Sequence, residues 1–175
     1  MIYAFFLLYR LILIPIAVLL LPFALPFSRK LREGLKLRMK ARGVRFPLSE
    51  RPFWIHASSG EFEYAKPVIR ELKSRFPHIP VLVTYFSPSY KDQIARFAGV
   101  DRFEPLPLDL PGAIHSFLNF HKPRALLIAR TDLWPELLWQ TSQRKIPSLL
   151  FSHTRRATPS LFHFYFRVMY SLLSE

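Results

Sequence analysis

The sequence has no cysteine, few glycines and few acidic residues. The absence of cysteine excludes disulfide bonds, thiolate catalysis and cysteine-ligated metal sites, and it fits a reducing compartment. Because 12 acidic residues stand against 25 lysines and arginines, the formal net charge is +13. Such an excess predicts an anionic partner, which is a nucleic acid, a membrane surface or a phosphorylated substrate. A chain of 175 residues has room for one domain and an anchor.

The first 27 residues are strongly apolar. Between Ile2 and Phe27 the ionisable residues are Arg10 and two tyrosines. About 20 apolar residues suffice to cross the hydrocarbon core of a bilayer, so residues 1–27 are predicted to form a membrane anchor. Prolines at positions 15, 22 and 26 interrupt a regular helix. A segment that lies in the membrane interface is therefore a second hypothesis beside a spanning helix.

A basic segment, residues 28–50, follows the anchor. Its first part contains Arg29, Lys30, Arg32, Lys36, Arg38, Lys40, Arg42 and Arg45, with Glu33 as the single acidic residue among them. The positive-inside rule predicts that the residues after Phe27 face the cytoplasm, where these side chains attract anionic lipid headgroups. Nucleic acid is not the expected partner, because the aromatic residues cluster in the anchor and near the C-terminus and do not alternate with the basic ones.

Residues 51–175 predict a single α/β domain. Short apolar stretches predict buried strands at 53–57, 80–84, 125–129 and 147–151, with a shorter extended piece at 103–108. Helical spacing of apolar residues appears at 61–75, 88–97, 111–120, 134–143 and 161–173. Strands that are apolar throughout and alternate with helices are typical of a Rossmann-like parallel sheet with helices on both faces.

Ligands of such sheets bind beyond the carboxyl ends of the strands. This rule selects four loops, at residues 58–61, 85–88, 130–135 and 152–156. In the first loop, Gly60 allows close approach of the backbone to a ligand, and Glu61 is suited to taking a proton from a hydroxyl group. The alternative is structural: Ser59 caps the following helix and Glu61 complements the helix dipole.

The loop at residues 130–135 also allows two interpretations. Arg130 and Thr131 either face an anionic substrate, or the loop is structural, with Asp132 capping the next helix and Trp134 in the core. The six histidines do not have the spacing of metal ligands, so no metal site is predicted. The phosphate-binding patterns G-x-x-x-x-G-K-[ST] and G-x-G-x-x-G do not occur, which excludes nucleotide binding by those loops.

Several short motifs follow one another along the chain. They are W-I-H-A-S-S-G-E at 54–61, L-V-T-Y-F-S-P at 82–88, P-L-P-L-D at 105–109, K-P-R-A-L at 122–126 and D-L-W-P at 132–135. In this order they resemble the N-terminal half of 3-deoxy-D-manno-octulosonic acid (Kdo) transferases. The resemblance covers nearly the whole chain, including the N-terminal anchor, and several ordered motifs are more specific than any single one.

The resemblance implies the N-terminal, acceptor-binding half of a GT-B glycosyltransferase of lipopolysaccharide biosynthesis. In that family the C-terminal domain mainly holds the donor CMP-Kdo, and no other cofactor is implied. The acceptor is the lipid A precursor at the cytoplasmic face of the inner membrane. The role of general base falls on Glu61. The substrate-binding residues expected beside it are Ser58, Ser59, Gly60, Ser87, Arg130, Thr131 and Asp132.

Whether the chain acts as an enzyme is open at this point. The sequence ends at Glu175, near the expected linker to the donor domain, so a transferase would require a separate C-terminal domain. The family also has one more residue between the histidine and the Gly-Glu pair, and an acidic residue at the position of Arg130. The alternatives are a non-catalytic membrane-associated module that binds phosphorylated lipid, and a structural membrane protein with an inherited fold.

Overall fold

The computed structural model describes residues 2–41, 48–153 and 160–173, and its centre is a five-stranded parallel sheet. The strands are β1 (Phe53–His56), β2 (Val81–Tyr85), β3 (Arg102–Pro105), β4 (Ala125–Ala129) and β5 (Ser148–Phe151). Their order is β3-β2-β1-β4-β5. The predicted Rossmann-like α/β architecture is confirmed. Arg42 and Arg45 of the basic segment and residues 154–156 of the last predicted loop lie outside the described residues.

The sheet is buried on both faces, as continuous apolar strands require. Trp54 and Leu82 belong to one hydrophobic core, and their strand neighbours Ile55 and Val83 belong to the other. This alternation follows from the two-residue period of side chains along a strand. The central strand β1 pairs with β2 on one side and with β4 on the other, so the chain changes direction across the sheet between β1 and β4.

The helices that follow β1 lie close to the predicted positions. They are α4 (Phe62–Arg75), α5 (Lys91–Ala95), α6 (Pro111–His121), α7 (Pro135–Gln143) and α8 (Ser160–Tyr170). The helix before β1, α3 (Arg29–Ala41), was not predicted. One prediction needs correction, because the expected helix at 88–97 consists of a 3-10 turn, Pro88–Tyr90, followed by α5. Pro88 favours this short start, since its fixed φ angle suits the first position of a helical turn.

The predicted N-terminal apolar helix is also present and extends over Ile2–Ala24. It comprises α1 (Ile2–Leu8), a π-helical turn (Tyr9–Leu13) and α2 (Ile14–Ala24). Pro15 follows the π turn, and a proline excludes the regular bond to the carbonyl four residues before it. At 23 residues the helix is long and apolar enough to cross a membrane by length and composition, and only 6% of its most apolar window is buried.

Candidate active site

The predicted site residues gather where the carboxyl ends of β1 and β4 lie side by side. The first loop, residues 58–61, leaves β1, and the second loop, residues 130–134, leaves β4. These strands are direct neighbours, with His56 opposite Ile128. Because the strand order changes direction here, this is the crevice in which ligands of doubly wound sheets bind.

A hydrogen-bonded pair, the buried His56 and the partly exposed Asp132, joins the end of β1 to the loop after β4. Nε2 of His56 lies 2.6 Å from Oδ2 of Asp132, and Nδ1 lies 2.9 Å from the hydroxyl oxygen of Thr84. The indole N–H of Trp54 donates to the same hydroxyl over 2.8 Å. These hydrogen bonds are mutually compatible when the Thr84 hydroxyl donates to Nδ1 of His56 and the Nε2–H group of His56 donates to the Asp132 carboxylate.

The environment of Asp132 favours its ionised form. Burial raises the pKa of this carboxyl group, but the hydrogen bond and electrostatic attraction of His56, together with the side chains of Trp134 and Ser58, outweigh burial. The pKa of Asp132 therefore lies below its ordinary value of 3.8. Asp132 does not cap the following helix, as one interpretation of the sequence had proposed, because its carboxylate is bound to His56.

Glu61 lies at the start of α4 and is partly exposed. Its Oε2 accepts a hydrogen bond from the backbone N–H of Ser59 over 2.9 Å. This bond holds the carboxylate against the backbone of the loop that leads into α4. The N-cap residue of α4 is Glu61 and not Ser59, and its side chain makes no capping hydrogen bond to the helix. A partly exposed carboxylate with one fixed hydrogen bond keeps lone pairs free to accept a proton from a ligand hydroxyl.

The other residues of the first loop hold it against the loop after β2. The carbonyl of Ser58 accepts the N–H groups of Phe86 and Ser87 over 3.0 and 2.9 Å. The Ser87 hydroxyl lies 2.9 Å from that of Ser89. A Cβ atom at Gly60 would lie 3.5 Å from the hydroxyl of Tyr90, an ordinary contact. The structure therefore brings Ser87 next to Ser58 through the backbone.

Arg130 and Thr131 lie at the rim of the crevice. Arg130 adopts a left-handed conformation with φ of 66°, which turns its side chain toward α4. There its guanidinium group lies 5.4 Å from the centre of the Tyr64 ring, a cation–π distance. Thr131 is exposed, and its carbonyl accepts the N–H of Leu133. Among the described residues, the rim thus carries the Arg130 guanidinium group and the exposed Thr131 side chain.

The structure adds Asp109, which was not among the predicted site residues. Its two carboxylate oxygens accept the N–H groups of Glu136 and Leu137, both over 2.9 Å, and so cap α7 from a different loop. Burial raises the pKa of Asp109 from 3.8 to about 6, against the lowering effect of these bonds and of the Tyr9 hydroxyl. The motif P-L-P-L-D before a helix was visible in the sequence. The sequence did not indicate, however, that the aspartate of this motif caps α7.

Arg38 of the basic segment also reaches the carboxyl edge of the sheet. Its guanidinium group donates to the carbonyls of Leu106 and Phe86 and lies 4.5 Å from the centre of the Phe86 ring. Phe86 in turn stacks on Trp134 with 5.1 Å between the ring centres. Burial lowers the pKa of the Arg38 guanidinium group below its ordinary value. A Cβ atom at Gly34 would lie only 3.0 Å from this guanidinium group, so glycine makes room for it.

Among the described residues, no group of three or more His, Asp or Glu side chains is arranged to hold a metal ion. The candidate site comprises Glu61 at the start of α4, the His56–Asp132 pair between β1 and the loop after β4, and Arg130 directly after β4. Sequence reasoning missed His56, although its position as the last residue of a buried strand was a usable signal.

The family model described as 3-deoxy-D-manno-octulosonic-acid transferase (kdotransferase) matches residues 30–172. The chain belongs to this family. Among curated proteins, it is 38% identical over 99 residues to 3-deoxy-D-manno-octulosonic acid transferase of Haemophilus influenzae, and the match covers 55% of this chain and 23% of that protein. The transferase of Aquifex aeolicus is 36% identical over 99 residues, covering 55% of this chain and 26% of that protein.

A plant protein gives a similar match. The probable mitochondrial 3-deoxy-D-manno-octulosonic acid transferase of Arabidopsis thaliana is 36% identical over 96 residues, which cover 54% of this chain and 22% of that protein. The matched region thus spans about a quarter of each of these relatives. The family predicted from the ordered motifs is confirmed.

Proposed function

We propose that this chain is the acceptor-binding half of a glycosyltransferase that moves Kdo from CMP-Kdo to the lipid A precursor at the cytoplasmic face of the inner membrane. The observation that supports it is the position of Glu61. Its carboxylate is partly exposed after the carboxyl end of β1, on the motif that is expected, by resemblance to the family, to carry the general base. A donor domain would complete the site.

In this proposal Glu61 removes the proton from an acceptor hydroxyl. The freed oxygen forms a bond to the anomeric carbon of Kdo, and the bond between that carbon and cytidine monophosphate breaks with its electron pair on the departing phosphate. The N–H of Ser59 keeps the carboxylate oriented while it takes the proton. The His56–Asp132 pair fixes the two loops that border the reacting groups.

The apolar helix and the net charge support a location at an anionic membrane. Exposed leucines, isoleucines and phenylalanines of the helix have no protein partner that covers them in the described part of the chain. The basic residues that follow would attract the phosphates of lipid headgroups and of the acceptor. We therefore propose that membrane and acceptor are recognised by neighbouring surfaces.

The test combines the chain with a candidate donor domain, CMP-Kdo and lipid A precursor in detergent micelles. Glu61→Gln should abolish transfer and leave binding of the lipid acceptor within about twofold, because the amide cannot accept a proton. Glu63→Gln is the matched control, since Glu63 is exposed on the same helix and pairs with Lys66. Transfer by the Glu61→Gln variant at the unmodified rate would contradict the assignment.

A second candidate function is a non-catalytic module that binds phosphorylated lipid. Arg130 favours it, because a positive charge stands at the rim where the family has an acidic residue. The same experiment separates the two functions. Lipid binding that is weakened by Arg130→Gln, together with no transfer under any combination of partners, would support the binding module.

A further inference from the structure

The N-terminal end of the apolar helix is bound to the domain. Arg10 forms a two-pronged ion pair with Glu136, with distances of 3.0 and 2.7 Å, and the Glu136 side chain is completely buried. The hydroxyl of Tyr9 donates to Asp109 over 2.7 Å. Phe6 is buried against Trp139, with 4.4 Å between the ring centres. The first nine described residues are therefore part of the folded domain.

The chain that leaves the other end of the helix returns to the same region. After a turn at residues 25–27, α3 runs back and packs against β3. Arg38 donates to the carbonyl of Leu106, which lies three residues before Asp109 in the sequence. Two separate contacts thus hold the chain to one loop, one before the exposed part of the helix and one after it.

The part of the helix between these contacts is apolar but short. From Leu11 to Ala24 it would extend about 21 Å at about 1.5 Å per residue. The hydrocarbon core of a bilayer is about 30 Å thick. The ends of this part are marked by arginines, with Arg10 paired to Glu136 on one side and Arg29 and Arg32 on the other.

We infer that the helix Ile2–Ala24 enters and leaves the bilayer on the same face and does not cross it, although its full length would suffice. The exposed residues of Leu11–Ala24 occupy one leaflet of an anionic bilayer, while residues 2–10 stay with the domain. Crossing would pull Arg10 away and leave the buried Glu136 carboxylate without its cationic partner, a costly state. This inference rests on the membrane location proposed above.

The absence of cysteine makes a direct test available. Single variants Ala4→Cys, Leu19→Cys and Ser74→Cys are expressed in bacterial inner membranes and treated with a membrane-impermeant maleimide, in right-side-out and in inside-out vesicles. All three positions are exposed to the surroundings of the protein. The unmodified chain is the control, because it has no thiol to label.

If the inference is correct, Ala4→Cys and Ser74→Cys are labelled from the same face of the membrane. Leu19→Cys is labelled only after detergent is added. Labelling of Ala4→Cys and Ser74→Cys from opposite faces would overturn the inference and leave the membrane location intact. If Leu19→Cys is labelled without detergent and the chain washes off the membrane in high salt, the proposed membrane location itself fails. The three results are distinct.

Discussion

The hydroxyl of Tyr9 donates to the carboxylate of Asp109 across 100 positions of sequence, over 2.7 Å. The same carboxylate caps α7, whose first residue follows the loop of Asp132 and Trp134. One acidic side chain therefore connects the apolar helix with the helix that leaves the candidate site. Its protonation state should be visible in the stability of the whole chain.

The first prediction concerns the pH dependence due to Asp109. The folded chain binds this proton more tightly than the unfolded chain, because the pKa rises from 3.8 to about 6 on folding. The free energy of unfolding should therefore fall as the pH rises from about 4 to about 6, by up to about 3 kcal/mol, and then level off. Urea denaturation in detergent at a series of pH values measures this fall.

Asp109→Asn should remove this part of the pH dependence, since an amide does not titrate. Asp92→Asn is the control, because Asp92 is exposed on α5. Parallel pH profiles for the unmodified chain and Asp109→Asn would show that Asp109 is not the titrating group.

The second prediction concerns the bond between His56 and Asp132. Asp132→Asn keeps the side-chain shape but removes the charge, so the free energy of unfolding at pH 7 should fall by about 1–3 kcal/mol. Because the pKa of Asp132 is lowered on folding, the stabilisation is present above its ordinary value of 3.8 and is lost as the pH falls further. The difference from the unmodified chain should thus shrink in acid.

Thermal and urea denaturation at pH 7 and pH 3 measure this difference. Thr131→Ala, an exposed neighbour in the same loop, should change stability by less than about 0.5 kcal/mol. A destabilisation by Asp132→Asn that is equally large at both pH values would argue against an ionised partner for His56.

The third prediction concerns Arg38. A lysine in its place cannot donate to Leu106, Phe86 and Gly34 together or stack flat on the Phe86 ring. Arg38→Lys should lower the free energy of unfolding by about 1.5–3 kcal/mol and speed proteolytic cleavage in α3. Denaturation and limited proteolysis measure the two effects.

Arg29→Lys provides the matched comparison, because the Arg29 side chain on the same helix is 85% exposed and pairs with nearby Glu33. This variant should be as stable and as protease-resistant as the unmodified chain, since exposed ion pairs contribute little. Equal protection of α3 in both variants would refute a special role for Arg38.

Much of the fold followed from local patterns. The strand at residues 125–129 was predicted with its observed bounds, because five apolar residues between a proline-containing turn and a polar loop allow little else. The loops after β1 and β4 were placed at one edge by the general geometry of parallel sheets. This prediction did not require knowledge of which strands are neighbours in the sheet.

The side-chain partners could not be predicted in the same way. The bond between His56 and Asp132 depends on β1 and β4 being adjacent and in a particular register, which 76 positions of intervening sequence do not reveal. The capping of α7 by Asp109 likewise replaced the local explanation, in which the nearby Asp132 was the obvious cap. The local sequence indicated the types of residue that form these hydrogen bonds but not the residues with which they pair.

The double attachment of the apolar helix has a geometric consequence for the proposed reaction. At the proposed membrane location, a flexible tether would let Glu61 vary in its distance from the lipid. A helix held to the domain at its N-terminal end, and again through Arg38 of α3, would fix the height of Glu61 above the headgroups. Acceptors whose sugar hydroxyl projects to that height would reach Glu61 without any search along the membrane normal. Selection among lipids would then begin with how far their sugars protrude.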